Sequence, residues 1–254
     1  MRSIESTSRD HPLALENVSL FVECGEAVGL LAEQGAGRSS LVRAATGESR
    51  VDTGTVYVRG QPALISRSTA FLADKTLRDN MARVLQVAGL RAGGLRSALR
   101  EIAAYCSAED VLDETVDKAR PATVDLVRLA CLLRLNRSLL IIDDPKFRMA
   151  RMGHPGQELI QYYLGGGGSL LMASDDPKAL VKHCSRILWL DGGRIVKDGP
   201  TRAVARDFQN LLQAEEDGDG KRAGQLRRRV AASYRQLRIL PNESGRRKAP
   251  PRGN

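Results

Sequence analysis

Apolar and polar residues alternate from Leu13 to Val22, the pattern of a strand with one buried face, and Gly25-Glu26 then turns the chain into the apolar run Ala27-Val28-Gly29-Leu30-Leu31. A continuous run of that kind predicts a strand buried on both faces. Val56-Tyr57-Val58 and Ala63-Leu64-Ile65 predict two more short strands, punctuated by Gly60 and Pro62. From Leu77 to Ala119 the spacing becomes helical, with Met81, Val84, Leu85 and Ala88 on one face and Ile102, Ala103 and Tyr105 farther on. Val124 to Leu135 reads as a strongly apolar helix, and Leu139-Leu140-Ile141-Ile142 as a buried strand. A helix from Gln157 to Leu164, a glycine run from Gly165 to Gly168, a strand from Ser169 to Ala173 and a helix around Ala179 to Cys184 follow. The body closes with a hairpin, Ile187 to Leu190 and Arg194 to Val196, turning at Asp191-Gly192-Gly193. Strands alternating with helices predict an α/β core with a parallel sheet.

Charge divides the chain. Lys221 to Asn254 holds eleven Lys and Arg against one acid, Glu243, so this tail carries +10 and the rest of the chain about −1 of the net charge of +9. The boundary falls near Gly218-Asp219-Gly220, after the acidic Glu215-Glu216-Asp217, which predicts a body over 1–217 and a basic extension over 218–254. Within the tail Leu226, Val230, Tyr234 and Leu237 recur at helical spacing beside Arg227, Arg228, Arg229, Arg235 and Arg238. A basic amphipathic helix of this kind lies on an anionic membrane surface, docks on a partner or packs on its own domain. Beyond Pro241 the composition predicts disorder. Nucleic acid is disfavoured, because a basic tail without an aromatic platform gives no base readout.

No apolar run approaches the ~20 residues a membrane span requires, and Arg2, Glu5, Arg9 and Asp10 interrupt any secretion signal. Cys24, Cys106, Cys131 and Cys184 are too scattered for a metal site and suit a reduced cytoplasm as buried small residues. His11, His154 and His183 are isolated.

The first buried strand feeds Ala32-Glu33-Gln34-Gly35-Ala36-Gly37-Arg38-Ser39-Ser40, and a helix over Leu41-Val42-Arg43-Ala44-Ala45 follows. In the phosphate-binding pattern G-x-x-x-x-G-K-[ST], a Gly-rich turn aims backbone N–H groups at phosphates, the Lys reaches the terminal phosphates and the hydroxyl binds Mg²⁺. Here Ala32 holds the first Gly position and Arg38 the Lys position, while Gly35, Gly37 and Ser39 remain. The alternative is a plain strand-to-helix turn with no ligand. Leu139 to Ile142 ends in Asp143-Asp144, where a carboxylate at the end of a parallel strand can hold Mg²⁺ beside Ser39. The alternative there is that both aspartates cap the turn before Pro145.

In chain order these pieces resemble the ATP-binding subunit of an ABC transporter over roughly residues 13 to 212. Ala14 to Glu26 is similar to that family's opening strands, and Arg186-Ile187-Leu188-Trp189-Leu190-Asp191-Gly192-Gly193-Arg194-Ile195-Val196-Lys197-Asp198-Gly199-Pro200 to its closing hairpin. That hairpin and Thr76-Leu77-Arg78-Asp79-Asn80 resemble most the subfamily that exports capsule, O-antigen or teichoic-acid polymers. The resemblance implies a P-loop NTPase-like core with N-terminal antiparallel strands and a helical insertion over about 77–135. It implies ATP and Mg²⁺ as cofactors, with nucleotide held by Gly35, Ala36, Gly37, Arg38, Ser39 and Ser40 and metal by Ser39 and Asp143. Asp144 falls where the family has a catalytic Glu; an Asp is one methylene shorter, and a displacement of about 1 Å can cost on the order of a hundredfold in rate.

Other family motifs have drifted. The signature loop Leu-Ser-Gly-Gly-Gln should fall at Ala119-Arg120-Pro121-Ala122-Thr123, where Pro121 has no N–H yet suits a helix start. Ser174-Asp175-Asp176 replaces the switch histidine. A carboxylate facing phosphate at ~4 Å costs ~4 kcal/mol at an effective dielectric of 20, although Ser174 and Asp175 also read as caps of the next helix. A glutamine is missing near Ser66, and no aromatic stands before the first strand to stack on adenine. The resemblance therefore implies a cytoplasmic subunit, peripheral on the inner face of the cell membrane, with impaired hydrolysis, membrane-embedded partners and an intact ATPase subunit as its dimer mate. A non-catalytic nucleotide-sensing or scaffold protein of the same fold is the other reading.

Overall fold

The computed structural model describes residues 15–66, 70–135, 137–144, 147 and 149–235. Six strands form one sheet in the order β2-β3-β4-β1-β5-β6, where β1 is Ala27–Ala32, β2 Ala63–Ser66, β3 Leu139–Asp143, β4 Ser169–Ser174, β5 Arg186–Asp191 and β6 Arg194–Pro200. Neighbours pair in parallel from β2 through β5, with Leu30 level with Ala173 on one side and Leu188 on the other; β5 and β6 pair antiparallel. The parallel α/β architecture is the one the sequence predicts.

Alternation along β1 sorts its side chains into two cores. Ala27 and Leu31 join one apolar cluster, with Leu140, Leu170, Ile187 and residues of most helices; Val28, Leu30 and Ala32 join the other, with Leu41, Val42, Ile141 and Leu188. Gly29, on the first face, lies where a Cβ would come within 3.0 Å of Ile187 and 3.1 Å of Leu180, so glycine lets those side chains close onto the strand.

Helices α1 (Arg38–Thr46), α2 (Leu77–Val87), α3 (Ala92–Tyr105), α4 (Pro121–Leu133), α5 (Gly153–Gly165), α6 (Pro177–His183), α7 (Thr201–Glu216) and α8 (Gly220–Ser233) complete the order. The helical stretch between β2 and β3 is made by α2, α3 and α4. Thr76 accepts from the Asp79 N–H to start α2, and buried Asn80 accepts from the Leu72 N–H and donates to the Leu72 carbonyl, tying the helix to the segment ahead of it. Trp189 on β5 meets Phe208 on α7 edge to face with centroids 5.1 Å apart.

Two expected strands do not form among the described residues. Leu15 to Val22 contains Asn17 at φ 50°, a left-handed conformation that interrupts a strand, and its buried residues Leu15, Val18 and Leu20 do not alternate. Individual bonds hold it instead: Glu16 N–H donates to the Gly193 carbonyl at 2.9 Å and the Arg186 guanidinium to the Phe21 carbonyl at 2.8 Å. Leu13 and Ala14 lie outside the described residues. Val56 to Val58 has no buried face, with Tyr57 76% exposed. Cys106, Cys131 and Cys184 are buried as expected, but Cys24 is exposed.

The basic helix α8 packs on its own domain. Ala223 and Val230 are buried, and Tyr234 adds to the second core. Arg227 joins three acids from separate elements: Asp191 at 2.5 Å, Glu215 at 2.7 Å and Glu33 at 3.5 Å. Lys221, Arg222, Arg228 and Arg229 face solvent. Leu237, Arg238 and the rest of the tail lie outside the described residues.

Candidate functional site

Past β1, residues 33–37 carry the chain into α1. Gly35 and Gly37 hold φ of 86° and 99°, a region that favours glycine. A Cβ at Gly35 would meet nothing within 4 Å, so conformation and not space requires glycine there. The loop is fastened twice: Ala36 N–H donates to the Glu33 carbonyl at 3.2 Å, and Gly193 N–H, from the β5–β6 turn, donates to the Ala36 carbonyl at 3.1 Å. α1 begins at Arg38 without a side-chain cap, which leaves its N-terminus the kind of backbone site that takes an anion.

An open cleft of about 560 Å³ lies against this loop, with Gln34, Arg38, Ser39, Arg43, Asp143 and Asp175 in its walls. It sits at the carboxyl ends of β1, β3 and β4, where parallel sheets place their ligands. Arg38, Ser39 and Asp143 thus come together as the sequence expects. Ala36 is buried behind the loop, and Ser40, in the first turn of α1, is half-buried.

The electrostatics depart from expectation. Arg38 Nε stands 3.2 Å from Asp143 Oδ1, both side chains largely screened from solvent. The planar guanidinium reaches across from α1 to the end of β3 and, unlike an ammonium, keeps its charge there. Ser39 and Asp143 are the groups that would hold Mg²⁺. As they stand the residues do not fit that ion, because the carboxylate that would face it carries a fixed cation.

Asp144 does not line the cleft. Its Oδ2 accepts from Arg128 Nη1 at 2.9 Å, with both side chains under 10% exposed. Arg128 belongs to α4, donates also to the Ser66 carbonyl at the end of β2, and lies 5.9 Å over the Phe147 ring. The carboxylate expected to orient water is therefore bound inward to an arginine. Sequence reasoning missed Arg128. The signal was present: one cation in the apolar run Leu126-Val127-Arg128-Leu129-Ala130 must find a partner when the helix is buried.

The remaining motif positions take local roles. Asp176, not Ser174 or Asp175, caps α6 by accepting from the Lys178 N–H at 2.9 Å, while Ser174 Oγ accepts from the Asp176 N–H. Asp175 is left exposed in the cleft wall. Pro121 is the first residue of α4, whose start has no side-chain cap. His154 is exposed, 3.4 Å from Glu158, and burial, with Lys182 beside it, lowers the pKa of half-buried His183. His11 lies outside the described residues.

A family model described as ABC transporter matches residues 15–146, just over half of the chain, and the chain belongs to that family. Among similar curated proteins are the teichoic acids export ATP-binding protein TagH of Lactococcus lactis, 22% identical over 79% of this chain and 43% of that protein, and a putative ABC transporter ATP-binding protein of Listeria monocytogenes, 24% identical over 81% and 83%. The O-antigen export system ATP-binding protein RfbB of Myxococcus xanthus is 22% identical over 82% of this chain and 49% of its own length. The chain thus spans less than half the length of this TagH and of RfbB. Among solved structures, an ATP-binding subunit of an ABC transporter superposes with a TM-score of 0.67 at 20% identity, over 82% of this chain and 92% of that one. CbiO1 of Clostridium perfringens, part of the ABC transporter complex CbiONQ, gives 0.67 at 14% identity over 84% and 93%. These likenesses establish the fold of an ABC ATP-binding cassette.

Proposed function

We propose that this chain is the ATP-binding subunit of a polysaccharide-type ABC transporter, that it takes ATP weakly, and that it hydrolyses it slowly or not at all. The loop supplies Gly35, Ala36, Gly37, Arg38, Ser39 and Ser40 for the phosphates, through backbone N–H groups and one fixed positive charge. The observation that carries the reading is that each carboxylate at the end of β3 has an arginine of its own, Arg38 on Asp143 and Arg128 on Asp144. A carboxylate held by a buried guanidinium cannot orient an attacking water, so binding survives where turnover does not. The likeness to TagH and RfbB supports polymer export as the cargo class.

In this family each ATP site combines one subunit's phosphate loop with the other's signature loop. A homodimer of this chain would place Pro121 and its neighbours at both sites. The fitting partner is a second, intact ATPase subunit, with membrane-embedded subunits completing the assembly at the inner face of the cell membrane. Purification of the chain from its native membrane tests this: an intact ATPase and a multi-span protein should come with it, and a fully active transporter containing this chain as its single ATPase would refute it.

The same two ion pairs also suit a non-catalytic nucleotide-sensing or scaffold protein. The reading as a transporter subunit requires a gene for a multi-span membrane protein beside this one. A neighbourhood without any such gene favours the scaffold.

A further inference from the structure

We infer that Arg38 occupies the charge-balancing place of the divalent cation, and that this chain binds nucleoside triphosphate with an affinity independent of Mg²⁺. The inference rests on the proposed reading of the loop as a nucleotide site, and it concerns what that site asks of the nucleotide.

Asp143 ends β3 in the wall of the cleft, and its Oδ1 is the atom that meets Arg38 Nε at 3.2 Å. Mg²⁺ takes six oxygens at ~2.0–2.1 Å in near-octahedral order and gives up its waters reluctantly. A guanidinium on the same carboxylate offers no ligand and repels the ion. Unlike an ammonium, it cannot be deprotonated to make room. Arg38 is also the first residue of α1, directly after Gly37, so it stands where the phosphates would meet the helix N-terminus. Arg38 meets Asp143 through Nε, and a guanidinium carries five N–H donors in a planar fork, enough to meet phosphate oxygens as well. One side chain therefore neutralises the carboxylate and faces the triphosphate, the two tasks a bound Mg²⁺ performs together.

A fluorescent ATP analogue titrated into the full chain, once in excess MgCl₂ and once in EDTA, tests the inference. Dissociation constants agreeing within about twofold are expected, well below the tenfold change that 1.4 kcal/mol of cation contribution would produce. Arg38→Gln removes the guanidinium charge from Asp143, and Mg²⁺ should then tighten binding by about tenfold or more. Binding by the unaltered chain in MgCl₂ but not in EDTA would overturn the inference and leave the nucleotide-site reading standing. An Arg38→Gln protein that stays indifferent to Mg²⁺ would overturn the role given to the Arg38–Asp143 pair. Absence of binding in both buffers would remove the nucleotide-site reading, and this inference with it.

Discussion

Arg128 Nη1 lies 2.9 Å from Asp144 Oδ2, with both side chains out of solvent, so that the last charged group of the β3 segment is neutralised by a helix and not by water. Taking two ions out of water is repaid only by close geometry and further hydrogen bonds, and Arg128 has a second acceptor in the Ser66 carbonyl. Removing one partner leaves a buried charge unmatched. Arg128→Ala should therefore lower unfolding free energy by about 3–5 kcal/mol, read from urea denaturation, while the double replacement Arg128→Met with Asp144→Leu should sit close to the unaltered protein.

On the proposed reading, hydrolysis would answer to several positions acting as a unit. Asp144→Glu alone should give no measurable gain in phosphate release, because the new carboxylate inherits the pairing with Arg128. Arg38→Lys, Asp144→Glu and Asp175→His combined with a rebuilt signature loop at Ala119 to Thr123 should raise turnover far beyond the sum of the single changes, as interdependent residues are non-additive. Robust phosphate release by the unaltered isolated chain would contradict the account of both ion pairs.

Glu26, at the entrance to β1, predicts an acid sensitivity. Burial pushes its pKa up, but hydrogen bonds from Arg186 and the Glu23 backbone, with the charge of Arg186, outweigh that and hold it below its ordinary value of 4.5. Arg186 binds Glu26 Oε1 at 2.7 Å and Asp198 at 2.9 Å and lies over the Phe21 ring, which ties β5, β6 and the N-terminal segment together. A carboxylate with a lowered folded pKa stabilises the fold at every pH above its unfolded value, and that contribution disappears as pH falls below it through the folded value. Urea midpoints should drop below about pH 4.5, and Glu26→Gln should flatten that part of the profile.

The C-terminal helix offers a contrast of magnitudes. Arg227 meets three acids, yet its side chain is 36% exposed, so Arg227→Ala should cost about 1 kcal/mol or less. Val230 is 3% exposed, and Val230→Asp, which buries an unpaired charge, should cost on the order of 3 kcal/mol. Thermal or urea unfolding separates the two. A larger loss from Arg227→Ala than from Val230→Asp would mean that charge and not packing seats α8.

The outward residues Lys221, Arg222, Arg228 and Arg229 remain exposed when α8 is seated. If they meet anionic lipid, vesicle sedimentation should show binding at low salt that fades at high salt, and removal of residues 221–254 should abolish it. Binding that persists unchanged in high salt would exclude this electrostatic origin.

The sheet was legible in the sequence because parallel strands covered on both faces read as unbroken apolar runs: Ala27 to Leu31, Leu139 to Ile142 and Ser169 to Ala173 each became a strand. The turn between β1 and α1 was legible because Gly35 and Gly37 mark positive φ. Leu15 to Val22 misled because period-two polarity says nothing about Asn17 turning left-handed. The partners of Asp143 and Asp144 were invisible for a different reason. Arg38 was expected to face phosphate, but its contact with β3 depends on the distance between two elements, and Arg128 lies 16 residues before Asp144 in a helix whose apolar pattern hides it. The tail's stripe was legible as amphipathic, and the acids at Glu33, Asp191 and Glu215 decided which surface it covers.

The pair formed by Arg128 and Asp144 also makes the present state hard to leave. Replacing Arg128 alone strands a carboxylate in the interior, and replacing Asp144 alone strands a guanidinium, so each single change passes through a less stable protein. A paired exchange avoids that step. The interior arginine thus fixes the identity of the residue across from it as much as it braces the fold.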